Sequence, residues 1–365
     1  MKVKELAVKN FRNIKEILLP EERLGNLNIF TGNNGQGKTN LLEALYILSG
    51  NSSFRSPNYD HLVNYEKEYF NINAKYTAGE KDLEIGLTYT RSKSKEIFLN
   101  RKKIRSKHPY IPKVVLFIPD DLYLIKGSPG RRRNFIDFML KQISAEYAYL
   151  IEEYGKILKK RNLMLKKEAI RDKTLNILDG MLTEKAALII MQRINLINML
   201  EKEVRDIYSF LNKEEADIKI KYALSFPIPD EKVNISTLKA RMAEELIKIR
   251  NQEGMRKTTL LGPHLDDINF YYNNKLARFF SSQGQQRNLV VALKIAEAQT
   301  FCRIRGFYPL FLLDEVLSEL DYERRNLLLK YLGEAEFQTF MTAVNIDDID
   351  VKGAAVFNVK DGSIV

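Results

Sequence analysis

The sequence predicts an α/β fold whose strand-and-helix part is interrupted by a mainly α-helical insertion. Three features lead there. A glycine-rich loop lies between a short apolar strand and a helix near the N-terminus. A second apolar run, Leu310-Phe311-Leu312-Leu313, stops abruptly at Asp314-Glu315. Between them runs a stretch rich in Leu, Ile, Lys and Glu, with no proline from Arg131 to Ser225. Runs of four to eight apolar residues suit central parallel strands, and long proline-free segments of that composition suit helices.

Gly32-Asn33-Asn34-Gly35-Gln36-Gly37-Lys38-Thr39 fills every fixed position of the phosphate-loop pattern G-x-x-x-x-G-K-[ST]. Leu27–Thr31 reads as the preceding strand, and Thr39–Ser49 has helical spacing of Leu and Ile. The glycines allow backbone N–H groups to turn onto phosphates, and the helix N-terminus adds partial positive charge. Lys38 is expected at the β- and γ-phosphates of ATP, and the Thr39 hydroxyl on Mg²⁺, with Asn40 following in the same helix. Asp314, at the C-terminal end of its strand, is expected to hold the same Mg²⁺, and Glu315 to polarise the attacking water as general base.

Further segments complete a pattern. Ser282-Gln283-Gly284-Gln285 precedes a helical run from Asn288 to Phe301, and it resembles the signature motif by which ABC-type ATPases clamp a partner's nucleotide. Gln283 stands where that motif usually has glycine. The same letters also fit a serine N-cap with a glutamine in the first turn. Leu317-Ser318-Glu319-Leu320-Asp321 resembles the D-loop, in which Ser318 and Asp321 would meet the partner subunit.

With Asn10-Phe11-Arg12-Asn13, the segments Val114 to Leu122 and Lys126 to Arg133, Leu261-Gly262-Pro263-His264-Leu265-Asp266-Asp267 and a final Phe357-Asn358-Val359-Lys360-Asp361-Gly362, the set resembles the RecF family, relatives of Rad50 and the SMC proteins. That resemblance implies an ABC-type P-loop ATPase head with an inserted helical arm: residues 1–125 and 250–365 as a discontinuous head, 126–249 as the arm. It implies that Arg12 touches nucleotide phosphates. It also implies an ATP-dependent homodimer that binds gapped or junction DNA in recombinational repair, works with RecR and RecO, and helps load RecA. Leu265 replaces an expected Arg. No glutamine occurs between Gln36 and Gln142, and no histidine follows Phe340–Val344, where Thr342 and Asn345 stand instead. The missing Q-loop and switch histidine point to slow hydrolysis.

Composition agrees. The chain has 365 residues, 45% of them hydrophobic, enough for two domains. No apolar stretch has the length of a membrane helix and the N-terminus is charged at once, so a cytoplasmic protein is expected. One cysteine and three histidines do not make a zinc cluster. Net charge is +11, and the stretch from Arg91 to Lys167 alone carries an excess of that size. Its densest clusters are Arg101-Lys102-Lys103-Ile104-Arg105-Ser106-Lys107 and Arg131-Arg132-Arg133, the expected contacts to DNA phosphates. No base-reading motif is present, so binding should follow the backbone and depend strongly on salt.

Antiparallel strands are expected at Asn71–Tyr76, Leu83–Thr90 and Glu96–Leu99, the last turning at Asn100-Arg101. Helices are expected across 131–213 and from Leu238 to Arg250, with Phe226-Pro227-Ile228-Pro229 as a return linker. Asp266-Asp267 and Asp347-Asp348-Asp350 read as turn caps rather than metal ligands. Two other classes fit parts of the pattern. A transport-energising cassette is opposed by the basic insertion and missing histidine, and an SMC-like structural ATPase by the short arm.

Overall fold

The computed structural model describes residues 1–105, 108–167, 172–228, 233–346 and 353–365. Ser106, Lys107, Pro229, Asp347, Asp348 and Asp350 lie outside the described residues. Two compact units emerge: 1–122, 207–214 and 287–365 in the first, 123–206 and 215–286 in the second.

The first unit holds two six-stranded sheets. One is antiparallel, ordered Ile14–Leu19, Lys2–Phe11, Tyr69–Ala78, Lys81–Thr90, Glu96–Leu99, Lys102–Ile104. Alternation explains it: Val3, Leu6, Val8, Phe70, Ile72, Ala74, Leu83, Ile85 and Leu87 point inward while Lys9, Asn71, Asn73 and Lys75 face out. Its last hairpin turns on Asn100 (φ 47°) and Arg101 (φ 64°), a pair of left-handed residues that matches strand twist.

The other sheet is parallel apart from a short edge strand. Its order is Ser363–Ile364, Ala355–Lys360, Leu27–Thr31, Thr339–Ala343, Leu310–Leu313, Val114–Phe117. Every residue of Leu310–Leu313 and Val114–Phe117 is buried, as a parallel sheet covered on both faces requires. The helix Lys38–Leu48 buries Leu41, Leu42, Leu45 and Ile47 in one core with Leu6 and Phe11 from the antiparallel sheet and Phe30, Leu312 and Phe340 from the parallel one. A helix clamped by two sheets cannot tilt freely, which fixes the loop at its N-terminus.

The same unit buries an unusual carboxyl group. Glu297 is 1% exposed, and among the described residues neither of its oxygens has a hydrogen-bond partner. Lys294 Nζ stands 3.5 Å from Glu297 and 3.4 Å from Asp121. Burial pushes the Glu297 carboxyl up to about 7, with Lys294 opposing and Asp121 reinforcing the shift. The folded value lies above the ordinary 4.5, so its contribution to stability is complete below the ordinary value and lost as pH rises through 7. Glu297→Gln should flatten that loss, worth on the order of 3 kcal/mol. Urea unfolding on either side of the window measures it, and an unchanged pH slope would place the titration elsewhere.

The second unit is helical around a small sheet. Helices run Pro129–Ile143, Ala145–Leu165, Asp172–Asn212 (of which 172–206 belong here), Ile235–Lys248 and Arg250–Arg256. Ser144 ends the first and caps the second by accepting from Tyr147 N. The helix Asp172–Asn212 has 41 residues and spans about 60 Å. Arg161, fully buried, joins three segments: it donates to Asp179 at 2.7 Å, to Glu253 at 2.6 Å and to Thr259 at 2.9 Å. Such a buried cluster costs about 3–5 kcal/mol to break on one side.

Residues 250–286, expected with the head, fall in this unit. The reason is an unforeseen strand, Ile218–Ala223, which pairs antiparallel with Asp267–Tyr272. Its alternating IKIKYA pattern carried the signal. Asp266 and Asp267 are not turn caps but tied carboxylates: Asp266 accepts from Tyr222 Oη and Ser225 N, and Asp267 pairs with Arg132 and Arg278. Among the described residues, no helix is long and apolar enough to cross a membrane, and no group of three or more His, Cys, Asp or Glu could hold a metal.

Candidate nucleotide and nucleic-acid sites

The phosphate loop is built by backbone geometry that only glycine takes comfortably. Gly32 (φ 136°) lies where a Cβ would meet Val359 O at 2.3 Å, and Gly37 (φ 111°) where it would meet Asn13 Oδ1 at 2.8 Å. Lys38 is 3% exposed and folds back, donating to Gly32 O at 2.5 Å and Asn33 O at 2.9 Å. An ammonium has three donors, so one remains to face an anion. Burial lowers the Lys38 pKa, and the carboxylates of Glu315 and Asp314 oppose that shift. Gln36 closes the loop from behind: its carbonyl accepts from Gly362 N and its Oε1 from Asp361 N. Asn34 and Gly35 complete the turn, and Gly35 has open space around it.

Parallel pairing of Leu27–Thr31, Thr339–Ala343 and Leu310–Leu313 brings three polar side chains to one edge of that loop. Thr39 Oγ1 donates to Asp314 Oδ1 at 2.8 Å, and Thr342 Oγ1 donates to the same oxygen at 2.9 Å. Glu315 N donates in turn to Thr342 Oγ1 at 2.9 Å. Burial raises the Asp314 carboxyl, while both threonine hydroxyls hold it down. Glu315 takes a left-handed conformation (φ 53°) and stays partly exposed at the strand's end. A hydroxyl and a carboxylate side by side form an oxygen donor set of the kind a hard cation takes, so these residues fit Mg²⁺. Thr342, one of the two residues near the expected switch histidine, makes these bonds from within the strand Thr339–Ala343.

A hydrogen-bonded chain that the sequence reading missed runs beside the loop. Gly35 O accepts from Asn13 Nδ2, Asn13 Oδ1 from Asn40 Nδ2, and Asn40 Oδ1 from Arg55 Nη1. Arg12 pairs with Glu43 through two bonds of 2.8 Å, although Glu43 is wholly buried. Ser53 donates to the same carboxylate at 2.5 Å, and Arg55 stands 3.8 Å from it. Glu43 thus fixes two guanidinium groups near the loop. Its signal was an acidic residue set among the Leu and Ala residues of the helix Lys38–Leu48. Arg12, Asn13, Asn40, Arg55, His61, Tyr65 and Arg91 line an open cleft of about 910 Å³ next to Gly35.

Ser282, Gln283 and Gly284 are exposed at the start of the helix Gln283–Arg305. Ser282 and Gln285 cap each other: Gln285 N donates to Ser282 Oγ at 3.2 Å, and Ser282 N to Gln285 Oε1 at 2.8 Å. Ser282 to Gln286 belong to the second unit, whereas the phosphate loop, Asp314 and Glu315 belong to the first. In the D-loop segment, Ser318 Oγ donates to Glu315 O at 2.6 Å, and Asp321 caps the helix Tyr322–Glu334 by accepting from Arg324 N.

The basic residues divide. Arg101, Lys102, Lys103 and Arg105 are exposed on the last hairpin of the antiparallel sheet, with Lys103 ion-paired to Glu96 at 2.5 Å. Arg131 is exposed, its guanidinium 5.9 Å from the Tyr123 ring, and Arg133 donates to Asp266 O at 2.7 Å. Arg132 needs correction: it is no surface contact for DNA. It is 2% exposed and bound to both oxygens of Asp267 at 2.7 and 3.0 Å and to the carbonyls of Ile125 and Gly127. Successive helix residues point roughly 100° apart, so the three arginines do not share one face, and here Arg132 is the one that turns inward.

Comparison with known proteins agrees with this geometry. Residues 2–360 match the family described as RecF/RecN/SMC N terminal domain. A "DNA replication and repair protein RecF" of Oenococcus oeni (strain ATCC BAA-331 / PSU-1) is 36% identical over 379 residues, covering 100% of both chains. One of Bacillus cereus (strain G9842) is 34% identical over 373 residues, covering 100% of this chain and 98% of the relative. A solved structure, "recombination mediator protein RecF-ATPrS in RecFOR pathway", superimposes with a TM-score of 0.87 at 31% identity, covering 100% of this chain and 97% of the other. An Smc head bound to the C-winged helix domain of ScpA shares the fold alone, with a TM-score of 0.57 at 15% identity over 100% of this chain and 97% of that one. From the phosphate loop to the last strand, this chain belongs to the RecF family of DNA replication and repair proteins.

Proposed function

We propose that the protein is an ATP-gated DNA clamp of recombinational repair, active as a head-to-tail dimer. The observation that carries this reading is the meeting of Thr39 and Thr342 on Asp314 beside the Lys38 loop, which would supply one side of a phosphate-transfer site. Residues 32–40 would cradle the phosphates of ATP, with Arg12 and Arg55 adding positive charge. Thr39 and Asp314 would hold Mg²⁺, which supplies charge neutralisation at the phosphates. Ser282 and Gly284 of a second copy would supply donors for the γ-phosphate, with Ser318 and Asp321 at the same contact. Two-fold symmetry then closes two identical sites.

ATP favours the dimer in this account because its γ-phosphate alone reaches both copies, and Glu315 ends that state by activating water. The absence of a Q-loop glutamine supports slow turnover, as a switch rather than a motor. Arg101, Lys102, Lys103, Arg105, Arg131 and Arg133 would follow DNA phosphates, each neutralised phosphate adding roughly one unit to the log–log salt slope. Gapped or junction DNA, cooperation with RecR and RecO and loading of RecA follow from family membership and belong to the same proposal. Light scattering with and without Mg-ATP tests the dimer: mass should double with nucleotide, and a mass that stays at one chain would overturn the clamp.

A further inference from the structure

The second unit exposes two adjacent aromatic rings just ahead of the signature segment. Phe279 and Phe280 are each 68% exposed, in a four-residue helix that ends two residues before Ser282. Isolated exposed apolar residues are ordinary, but two neighbouring phenylalanines in water are not. They are also arranged. The rings meet edge to face, centroids 6.4 Å apart at 81°. Arg278, itself 3.4 Å from Asp267, lies 4.8 Å from the Phe279 centroid and holds that ring. Gln286 pins both ends of the segment by donating to Ala277 O at 3.0 Å and Ser281 O at 2.9 Å. Fixing two large apolar side chains in solvent has a cost that the isolated chain does not recover.

We propose that this pair docks on the rim of a second copy's nucleotide cleft, so that each composite site contains Phe279 and Phe280 from the partner. The proposal rests on the dimer reading above and deepens it. Continuity is the first reason: Phe280 lies two residues from Ser282, within about 7 Å along the chain. Whatever meets Ser282 therefore meets the rings. Complementarity is the second. The cleft beside the phosphate loop is lined by Arg55, His61 and Arg91, and by Tyr65, which is 96% exposed. Guanidinium groups and an open phenol are the surfaces on which phenylalanine rings stack. Ring burial there would also shield the bound nucleotide from water, and it would make the dimer selective for an occupied cleft.

The test compares wild type, Phe279→Ala/Phe280→Ala, Phe279→Tyr/Phe280→Tyr and the single variant Phe280→Gln, which leaves the Arg278 contact untouched. Dimerisation constants are measured by sedimentation in Mg-ATP, melting curves report the fold, and DNA binding is read in parallel. The alanine pair should weaken ATP-dependent dimerisation about tenfold or more and Phe280→Gln severalfold, while the tyrosine pair stays near wild type. Wild-type dimerisation by the alanine pair or, should that pair melt early, by Phe280→Gln would overturn the docking and leave the clamp intact. Unchanged dimerisation with lost DNA binding would overturn it too, assigning the rings to nucleic acid. A wild type that never dimerises with Mg-ATP would overturn the clamp itself, a distinguishable result.

Discussion

Lys38→Ala is expected to leave the protein monomeric in Mg-ATP at concentrations where the wild type dimerises. The side chain is buried against its own loop and spends two donors on Gly32 O and Asn33 O, leaving the third and the charge for phosphate. A charge-assisted hydrogen bond contributes about 1.5–3 kcal/mol, so nucleotide affinity should fall roughly 10- to 100-fold from one lost contact. Losing the positive charge from a partly desolvated site adds to that. The dimer suffers more than the affinity, because two sites are weakened at once. An ATP-induced dimer that survives unchanged in light scattering would remove Lys38 from the account.

Glu315→Gln should separate binding from chemistry. Glutamine keeps the shape and the left-handed backbone of Glu315, and the N–H bond to Thr342 is unaffected by the side chain. What disappears is the carboxylate that would take a proton from water, and a general base is worth about 10²- to 10⁴-fold. Hydrolysis should drop by at least the lower figure while the ATP-bound dimer accumulates and persists. Turnover at the wild-type rate would mean that another group, or none, accepts the proton.

Local motifs were legible in the sequence because short-range geometry enforces them. Gly32 (φ 136°) and Gly37 (φ 111°) take backbone conformations that L side chains rarely adopt, and the apolar run Leu310–Leu313 ends at Asp314 in the letters themselves. Strands Leu27–Thr31 and Glu96–Leu99 appear with the expected bounds, and the turn falls on Asn100-Arg101. Long-range pairings were not legible. Nothing local told that Arg132 reaches Asp267, 135 residues on, or that Arg12 would find Glu43 across the core. Arg131, Arg132 and Arg133 look alike as letters, and only helix phase separates them. The strand Ile218–Ala223 was hidden by its neighbourhood, a helical stretch on one side and a proline-containing segment on the other. The signature segment was legible in its local sense: Ser282 and Gln285 cap a helix, and Ser282 stays exposed.

The energetic logic of a gate is that the nucleotide must bind the closed state better than the open one. The proposed composite site would provide that difference, since the donors of Ser282 and Gly284 would act only when two copies meet. A gate couples ATP to DNA, so the decisive measurement reads both together. Fluorescence anisotropy of labelled duplex and gapped DNA, with and without Mg-ATP, should be compared for wild type and Ser282→Arg. The substitution places a bulky cation where the second copy must approach and leaves the phosphate loop untouched. The account predicts that Mg-ATP tightens DNA binding for the wild type and has no effect on Ser282→Arg. Equal binding by both proteins, with or without nucleotide, would contradict it: the basic surface would then hold DNA by charge alone, without an ATP gate.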